Sequence, residues 1–175
     1  MLALMDALAA IKAFVAQGGD VLLLIAGLTF VMWTLIFERV WYFHGALKQD
    51  VQGALDAWEE RPERKSWNAH QVRYALISRV SEKVSSNMDM IATLVALAPL
   101  LGLLGTVTGM IEVFNVLAVT GGGDAKSMAG GVSKATIPTM AGMVAALSGV
   151  FGNTYVTRTA ERENQLLEDH LTMDH

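Results

Sequence analysis

The sequence predicts an all-α membrane protein with three transmembrane helices. Its composition is 53% hydrophobic and its mean hydropathy is +0.39, which is too apolar for one water-soluble domain. Charged residues make up 17% of the chain and are unevenly spread, because three long stretches carry none. Each stretch is 17 to 23 residues long, the length that a helix needs to cross a bilayer. These stretches are residues 21–37, 90–111 and 135–157.

The residue content also excludes several classes of site. The chain has no cysteine, so it has no disulfide framework, no thiolate metal site and no thiol nucleophile. Its 13 Lys and Arg residues against 17 Asp and Glu residues leave no basic excess for binding a nucleic acid. The four histidines lack metal-ligand spacing, and no motif pairs a nucleophile with a base. We therefore predict no enzyme active site, no metal site and no cofactor, and a lipid bilayer as one partner.

Residues 1–17 are predicted to form an amphipathic helix that lies at the membrane interface. The segment is too short to span, and the glycines that follow it end the apolar pattern. A cleavable signal peptide begins with a basic region, whereas here Asp6 precedes Lys12. A signal-like role and a frayed terminus remain as alternatives. The first transmembrane helix is then predicted over residues 18–43.

Basic residues predict the orientation of the chain. The segment from Trp41 to Asn87 holds seven Lys and Arg residues, whereas residues 1–20 hold Lys12 as their one basic residue. The positive-inside rule therefore places residues 44–87 in the cytoplasm as a helical segment, with the N-terminus outside. The remaining predicted regions are a second transmembrane helix over 88–119, an external loop over 120–133, a third transmembrane helix over 134–157 and a cytoplasmic tail helix over 158–175.

Long helices are predicted to extend from the spans into the cytoplasm. The cytoplasmic segment is helical over 47–60 and again over 67–86, with Arg61-Pro62 between the two parts. The second part is expected to run directly into the second span as one helix, and the third span to continue past Arg158. Pro99 and Pro138 predict kinks within the spans.

Small residues recur along one face of the second and third spans. In the second span they follow Ala98 at offsets of four, seven and eleven, and in the third they recur at offsets of three, seven and ten. Such spacing lets a neighbouring helix backbone approach closely, so we predict helix packing there. The glycines concerned are Gly102, Gly105, Gly109, Gly142, Gly149 and Gly152.

Polar side chains within the spans are candidates for an ion route. Spacing alone does not assign Thr106 or Thr139 to one, because a buried threonine can donate to a carbonyl of its own helix. Thr108, Glu112 and Asn115 share one polar face near the external end of the second span. A carboxylate there must find a partner, line a wet cavity or reach the headgroup layer, and these alternatives stay open.

Two sequence blocks resemble the ExbB/TolQ/MotA family of proton-channel subunits, and within it the ExbB subunits most closely. One block is APLLGLLGTVTGM over 98–110, and the other is GVSKATIPTMAGMVAAL over 131–147. The resemblance implies a pentamer in the inner membrane of a Gram-negative bacterium, with the second and third spans around a central pore. It also implies an ExbD-like partner that carries the proton-accepting aspartate. Thr106 and Thr139 are similar in position to the pore-facing threonines of the family.

One position departs from the family pattern. ExbB proteins commonly carry a glutamate five residues before the third-span threonine, and this chain has Lys134 there. A lysine can pair with Glu112 of its own or a neighbouring chain, or with a lipid phosphate, but it cannot relay a proton as a carboxylate does at neutral pH. We hypothesise that the relay needs no acid at this position or uses Glu112 instead.

The resemblance implies a function in energy transduction. The chain and its ExbD-like partner would use the proton motive force to energise TonB-dependent import of iron-siderophore complexes, haem or cobalamin. A TolQ-like subunit of an envelope-maintenance motor is the alternative within the family, and a stator of the MotA type is weakened by the short cytoplasmic segment. A passive membrane scaffold is the alternative from another class, since helix packing alone explains the glycines.

Overall fold

The structure, a computed structural model, describes residues 2–63, 66–121 and 125–171 as five helices joined by short connections, with no strand in these ranges. The helices are α1 (Leu2–His44), α2 (Ala46–Glu59), α3 (Trp67–Ser85), α4 (Met88–Thr120) and α5 (Ala125–His170). Three of them, α1, α4 and α5, contain segments long and apolar enough to cross a membrane. The predicted all-α class with three spans is therefore confirmed.

Helix α1 contains one break in its backbone geometry. Gly19 has φ 66° and ψ −163°, which lies outside the helical region and divides α1 into segments 2–18 and 20–44. A side chain with a Cβ is strained at this φ, whereas glycine adopts it without steric conflict. The break falls beside the predicted boundary between the first segment and the first span.

The connection between α2 and α3 follows from local sequence chemistry. Proline cannot continue a helix, and α2 ends at Glu59, just before Arg61-Pro62, as predicted. Ser66 then caps α3, because its side-chain oxygen accepts a hydrogen bond from the Ala69 N–H at 3.2 Å.

Two predicted boundaries differ from the structure. The second cytoplasmic stretch does not run directly into the second span, because Asn87 adopts a left-handed φ of 63° and separates α3 from α4. Asparagine tolerates this conformation better than most residues with a side chain. The segment 120–133, predicted as a loop, is helical from Ala125 onward, where alanine, lysine and methionine all favour a helix. The expected continuation of the third span past Arg158 is confirmed, since α5 ends at His170.

The helices form two compact units. The first unit comprises residues 1–32 and 93–150, and the second comprises residues 33–92 and 151–175. In the first unit, α1 packs on α4 and α5 through small and aliphatic side chains, with Ile25 and Ala98 almost fully buried. Met32 occupies the space that the missing side chain of Gly149 leaves open.

The second unit has an apolar core and a set of charged contacts beside it. Its most buried core residues come from all five helices and from the residue just after α5: Ile36, Leu47, Trp58, Ala69, Val84, Ile91, Val156, Ala160, Leu167 and Leu171. Arg39 of α1 is 6% exposed, and it donates to the carbonyl oxygen of Lys83 at 2.8 Å. This bond caps the last turn of α3, where backbone carbonyls have no partner within the helix. Arg39 also forms an ion pair with Glu38 and lies over the ring of Tyr42.

Two further contacts extend this charged set. Asp50 of α2 accepts hydrogen bonds from Lys83 Nζ at 2.6 Å and from the Tyr42 hydroxyl at 2.8 Å. These two donors, the lysine first, hold the pKa of the Asp50 carboxyl below its ordinary value. At the other end of α3, Arg73 donates to the carbonyl oxygens of Leu171 at 2.6 Å and of Glu168 at 3.0 Å, and so caps the end of α5.

Candidate functional site

The candidate site lies where α4 and α5 come closest. Gly109 faces Ala135, Gly105 faces the ring of Pro138, and Gly102 faces the backbone of Thr139. The residue numbers rise along α4 as they fall along α5, so the two helices are antiparallel. A Cβ at Gly102 would lie 3.0 Å from the Pro138 oxygen and from Thr139 Cα, which is so close that the backbone of α5 would have to shift. Glycine therefore sets the close approach of the two backbones.

This approach brings two threonine hydroxyls together across the helices. Thr139 Oγ1 donates a hydrogen bond to the carbonyl oxygen of Gly102 at 2.9 Å, and it also contacts Thr106 Oγ1 directly. Thr106 Oγ1 lies 3.4 Å from the same Gly102 oxygen. Thr106, Thr139 and the Gly102 carbonyl form one small polar cluster, which we call the threonine pair.

Other hydroxyls of α4 and α5 donate to their own helices. Thr108 Oγ1 donates to Leu104 O at 3.0 Å, Thr136 Oγ1 to Ser133 O at 2.7 Å, and Ser148 Oγ to Ala145 O at 2.8 Å. Such bonds satisfy a hydroxyl without a partner from a second helix. The hydrogen bonds of the threonine pair cross from one helix to the other.

Helix geometry places the predicted pore-mouth residues on another side of the α4–α5 contact. Leu101 and Ala141 pack against the buried cluster that joins Ile25 of α1 to Ala98, Ala145 and Ala146. Thr108 and Lys134 lie seven residues from Leu101 and Ala141 respectively, about two helical turns, and so face the same way. Glu112 lies three turns beyond Leu101 on that face.

The threonine pair therefore lies apart from these polar residues. Five residues separate Lys134 from Thr139, which corresponds to a rotation of roughly 140° about the axis of α5. Thr108, Glu112, Asn115 and Lys134 are all exposed. Among the described residues, no ion pair joins Glu112 to Lys134.

The surface around the threonine pair is apolar and uncovered by the chain itself. Leu103, three residues before Thr106, is 57% exposed, and Met143, four residues after Thr139, is 62% exposed. Val132, two turns before Thr139, is also exposed. Two hydroxyls in such a surface can bind water, a hydronium ion or a carboxyl group, and they carry no fixed charge that would trap a cation. No group of His, Asp or Glu that could hold a metal ion occurs in the described ranges.

Sequence reasoning did not identify the Gly102 carbonyl as part of this cluster. The available signal was the spacing of Gly102 and Thr106, four residues apart, which lets a threonine reach back to a carbonyl. The contact with Thr139 depends on which residues of α4 and α5 face each other, and this is not apparent from either helix alone.

Comparison with known proteins agrees with the family resemblance of the sequence. A model of the MotA/TolQ/ExbB proton channel family matches residues 44–169. A putative biopolymer transport protein, ExbB-like 1 from Synechocystis sp., is 33% identical over 75% of this chain and 64% of its own length.

Two further relatives are similar over shorter regions. The biopolymer transport protein ExbB of Xanthomonas campestris is 32% identical over 63% of this chain and 43% of its own length. The Tol-Pal system protein TolQ of Pseudomonas aeruginosa is 31% identical over 55% and 40% respectively. The alignments cover less than two thirds of each relative's length, whereas the family model matches most of this chain. The chain belongs to the MotA/TolQ/ExbB proton channel family.

Proposed function

We propose that this chain is a subunit of a proton channel in the inner membrane of a Gram-negative bacterium, and that Thr106 and Thr139 line its pore. The observation that carries the proposal is the hydrogen-bonded contact of these two hydroxyls across α4 and α5 in an exposed apolar surface. Membership of a proton channel family supports the same function.

The proton-accepting group of this channel belongs to a second protein. The three apolar stretches contain no carboxylate, and hydroxyls do not release protons at physiological pH. An apolar helix from an ExbD-like partner, carrying one carboxyl group, would cover the exposed surface around the threonine pair. The carboxyl group would bind and release the proton, and the threonines would form hydrogen bonds with it when it is protonated.

Several copies of the chain surround that partner helix. One copy contributes one threonine pair on one side of the partner helix, so a closed pore needs a ring of copies, for which we propose a pentamer. Residues 44–87 and the end of α5 face the cytoplasm, and the N-terminus faces the periplasm, as the distribution of basic residues favours. Glu112 and Lys134 are not needed in the relay, since helix geometry directs them away from the threonine pair.

The output of this channel is energy for transport across the outer membrane. Two relatives are named biopolymer transport proteins, which supports an ExbB-like role with a TonB-like protein and cargo such as iron-siderophore complexes, haem or cobalamin. A TolQ-like role in envelope maintenance is the second candidate, and the similarity to the Pseudomonas protein favours it. A passive scaffold would pack helices in the same way but would conduct no protons.

Proton flux into proteoliposomes tests the central proposal. The chain would be reconstituted with its ExbD-like partner, and an imposed proton gradient would be followed with a pH-sensitive dye. We expect Thr106→Val and Thr139→Val each to reduce flux by about two- to tenfold, the effect of losing one hydrogen bond of ordinary strength. Thr106→Ser and Thr139→Ser keep the hydroxyl and should keep most of the flux.

Thr29→Val is the matched control for these variants. Thr29 lies on α1 and donates to Ile25 O of its own helix at 2.7 Å, so the same chemical change should leave flux unaltered. The mass of the assembly in detergent must be equal for all variants. Unaltered flux in both Thr106→Val and Thr139→Val would contradict the proposal, and absence of flux in the unaltered complex would favour a scaffold.

Growth tests separate the two candidate roles. An ExbB-like subunit should restore growth under iron limitation to a bacterium lacking its own, whereas a TolQ-like subunit should restore resistance to detergents. The threonine-to-valine variants should fail in whichever assay the unaltered chain passes.

A further inference from the structure

The hydrogens of the two threonine hydroxyls are already engaged within the chain. Each hydroxyl has one hydrogen to donate and two lone pairs that accept. Thr139 Oγ1 donates its hydrogen to the Gly102 carbonyl at 2.9 Å. The hydrogen in the contact between the two hydroxyls must therefore come from Thr106, whose other acceptor within reach is the same carbonyl at 3.4 Å. Neither hydrogen is directed toward the exposed surface.

Thr139 can reach the Gly102 carbonyl because residue 102 has no side chain to hold α5 away. A Cβ at Gly102 would lie 3.0 Å from Thr139 Cα and 3.2 Å from the Thr139 oxygen, and these are backbone atoms that cannot swing aside. Gly142, one turn along α5, has Gly102 Cα 3.0 Å from its own Cβ position. An alanine at 102 would therefore push α5 away and lengthen the bond from Thr139 to the carbonyl.

We propose that Gly102 is a positioning residue, which directs both threonine hydrogens inward so that the pair presents only lone pairs to the pore. In this state the pair accepts hydrogen bonds from water, from a hydronium ion or from a protonated carboxylic acid. It cannot donate to a carboxylate anion until a hydroxyl rotates away from Gly102. The site is thereby specific for the protonated form of the partner's carboxyl group. This inference rests on the proposed function, since it assumes that the threonines face the pore.

Selective isotope labelling tests the contact without changing Gly102. The sequence contains two Gly-Leu pairs, Gly27-Leu28 and Gly102-Leu103. Carbonyl ¹³C-glycine combined with ¹⁵N-leucine therefore gives two correlated NMR signals, and Gly27 serves as an internal reference. We expect Thr139→Val to move the Gly102 carbonyl resonance toward that of a carbonyl with fewer hydrogen bonds, and Thr139→Ser to restore it. A Gly102 signal that stays in place, or a shift of both signals alike, would overturn the proposal.

A double-mutant cycle on proton flux tests the consequence. Gly102→Ala should reduce flux by about two- to tenfold while both hydroxyls remain, the loss expected for one hydrogen bond. If Gly102 acts through Thr139, the double variant Gly102→Ala/Thr139→Val should conduct as Thr139→Val alone does. Gly27→Ala is the matched control, because a Cβ at Gly27 meets no atom within 4 Å.

The outcomes of the two tests are distinguishable. Full flux in Gly102→Ala, or losses that multiply in the double variant, would overturn the positioning role and leave the proposed function intact. Full flux in Thr139→Val would instead contradict the proposed function. If Gly102→Ala does not assemble, the NMR comparison of Thr139→Val and Thr139→Ser still decides whether Gly102 holds the hydroxyl.

Discussion

The helices within the first unit are held together by different contacts from those within the second unit. In the first unit, glycines bring the backbones of α4 and α5 into contact, and the threonine pair supplies hydrogen bonds between them. In the second unit, long charged side chains reach across to helix ends, as Arg39 does to Lys83 O and Arg73 does to Leu171 O. Both units have close contacts between helices, and those of the second unit include full charges.

The difference follows from the solvent that each unit is built for. In a bilayer, a charged side chain is costly to bury. Lipid provides no hydrophobic driving force for helix association, so close packing of small residues holds the helices together instead. Where water reaches, an arginine can cover apolar surface with its stem and place its guanidinium group on exposed carbonyls. Substitutions in the two units should therefore act through steric conflict in one and through lost hydrogen bonds in the other.

The largest effect is expected from adding a side chain to the first unit. At Gly105, a Cβ would lie 2.8 Å from Pro138 Cγ and 3.1 Å from Val21 Cγ1. Gly105→Val should destabilise the protein by about 2–3 kcal/mol, because neither neighbour can move without disturbing α1 or α5. Thermal unfolding of the purified protein in detergent measures this. Gly27→Val has open space around it and is the control, and equal midpoints for the two variants would contradict the steric account.

The second largest effect is expected from removing the buried arginine of the second unit. Arg39→Met leaves the Lys83 carbonyl without its cap and Glu38 without its partner, which should cost about 2 kcal/mol, less than for a fully buried pair because Glu38 is half-exposed. The double variant Arg39→Met/Glu38→Gln should recover part of this loss. Arg79→Met, at an exposed position on α3, should change little in the same unfolding assay. An equal loss in both single variants would count against the capping role of Arg39.

A smaller effect is expected at the far end of α3. Arg73→Met removes two hydrogen bonds to the last carbonyls of α5 and should cost about 1 kcal/mol. Amide hydrogen exchange shows where the protein is destabilised. Exchange should be faster in the last turn of α5 and unaltered in α4. Uniformly faster exchange would indicate a general loss of stability instead.

The smallest effect is expected from protonation of the Asp50 carboxylate at low pH. Its folded-state pKa is lowered, so its contribution to stability is complete above the ordinary carboxyl pKa of about 4 and disappears as the pH falls through the lower folded-state pKa. Lys83 is largely exposed, which limits the contribution to a few tenths of a kcal/mol. Asp50→Asn should flatten the pH dependence of the unfolding midpoint below about pH 5. If the unfolding midpoint of the variant depends on pH as steeply as that of the unaltered chain, Asp50 is not the source of this dependence.

The long elements of the fold could be predicted from composition and spacing. The charge-free stretches predict the three spans because a bilayer-crossing helix must be long and uncharged, and Arg61-Pro62 predicts the end of α2 because proline cannot continue a helix. The break between α3 and α4 was not predicted. It depends on the backbone conformation of one residue, Asn87, and apolar periodicity does not report such a local change.

The candidate site was predictable only in part. The threonines could be chosen from the family resemblance, whereas their spacing alone favoured hydrogen bonds within a helix over an ion route. That Thr139 reaches the Gly102 carbonyl depends on the rotation of two helices about their axes, which the sequence of one helix does not determine. The same holds for Arg39, because its acceptor on α3 lies 44 residues away along the chain.

The capped end of α5 has a consequence for the lifetime of the protein in the cell. Helix ends commonly fray, and frayed ends are where proteases begin. Here Arg73 binds the last carbonyls and Leu171 is fully buried, so the final turn offers no extended strand for a protease to grip. Cleavage within this turn must await the opening of the second unit, and the resistance of the turn to proteolysis therefore measures how often that unit opens.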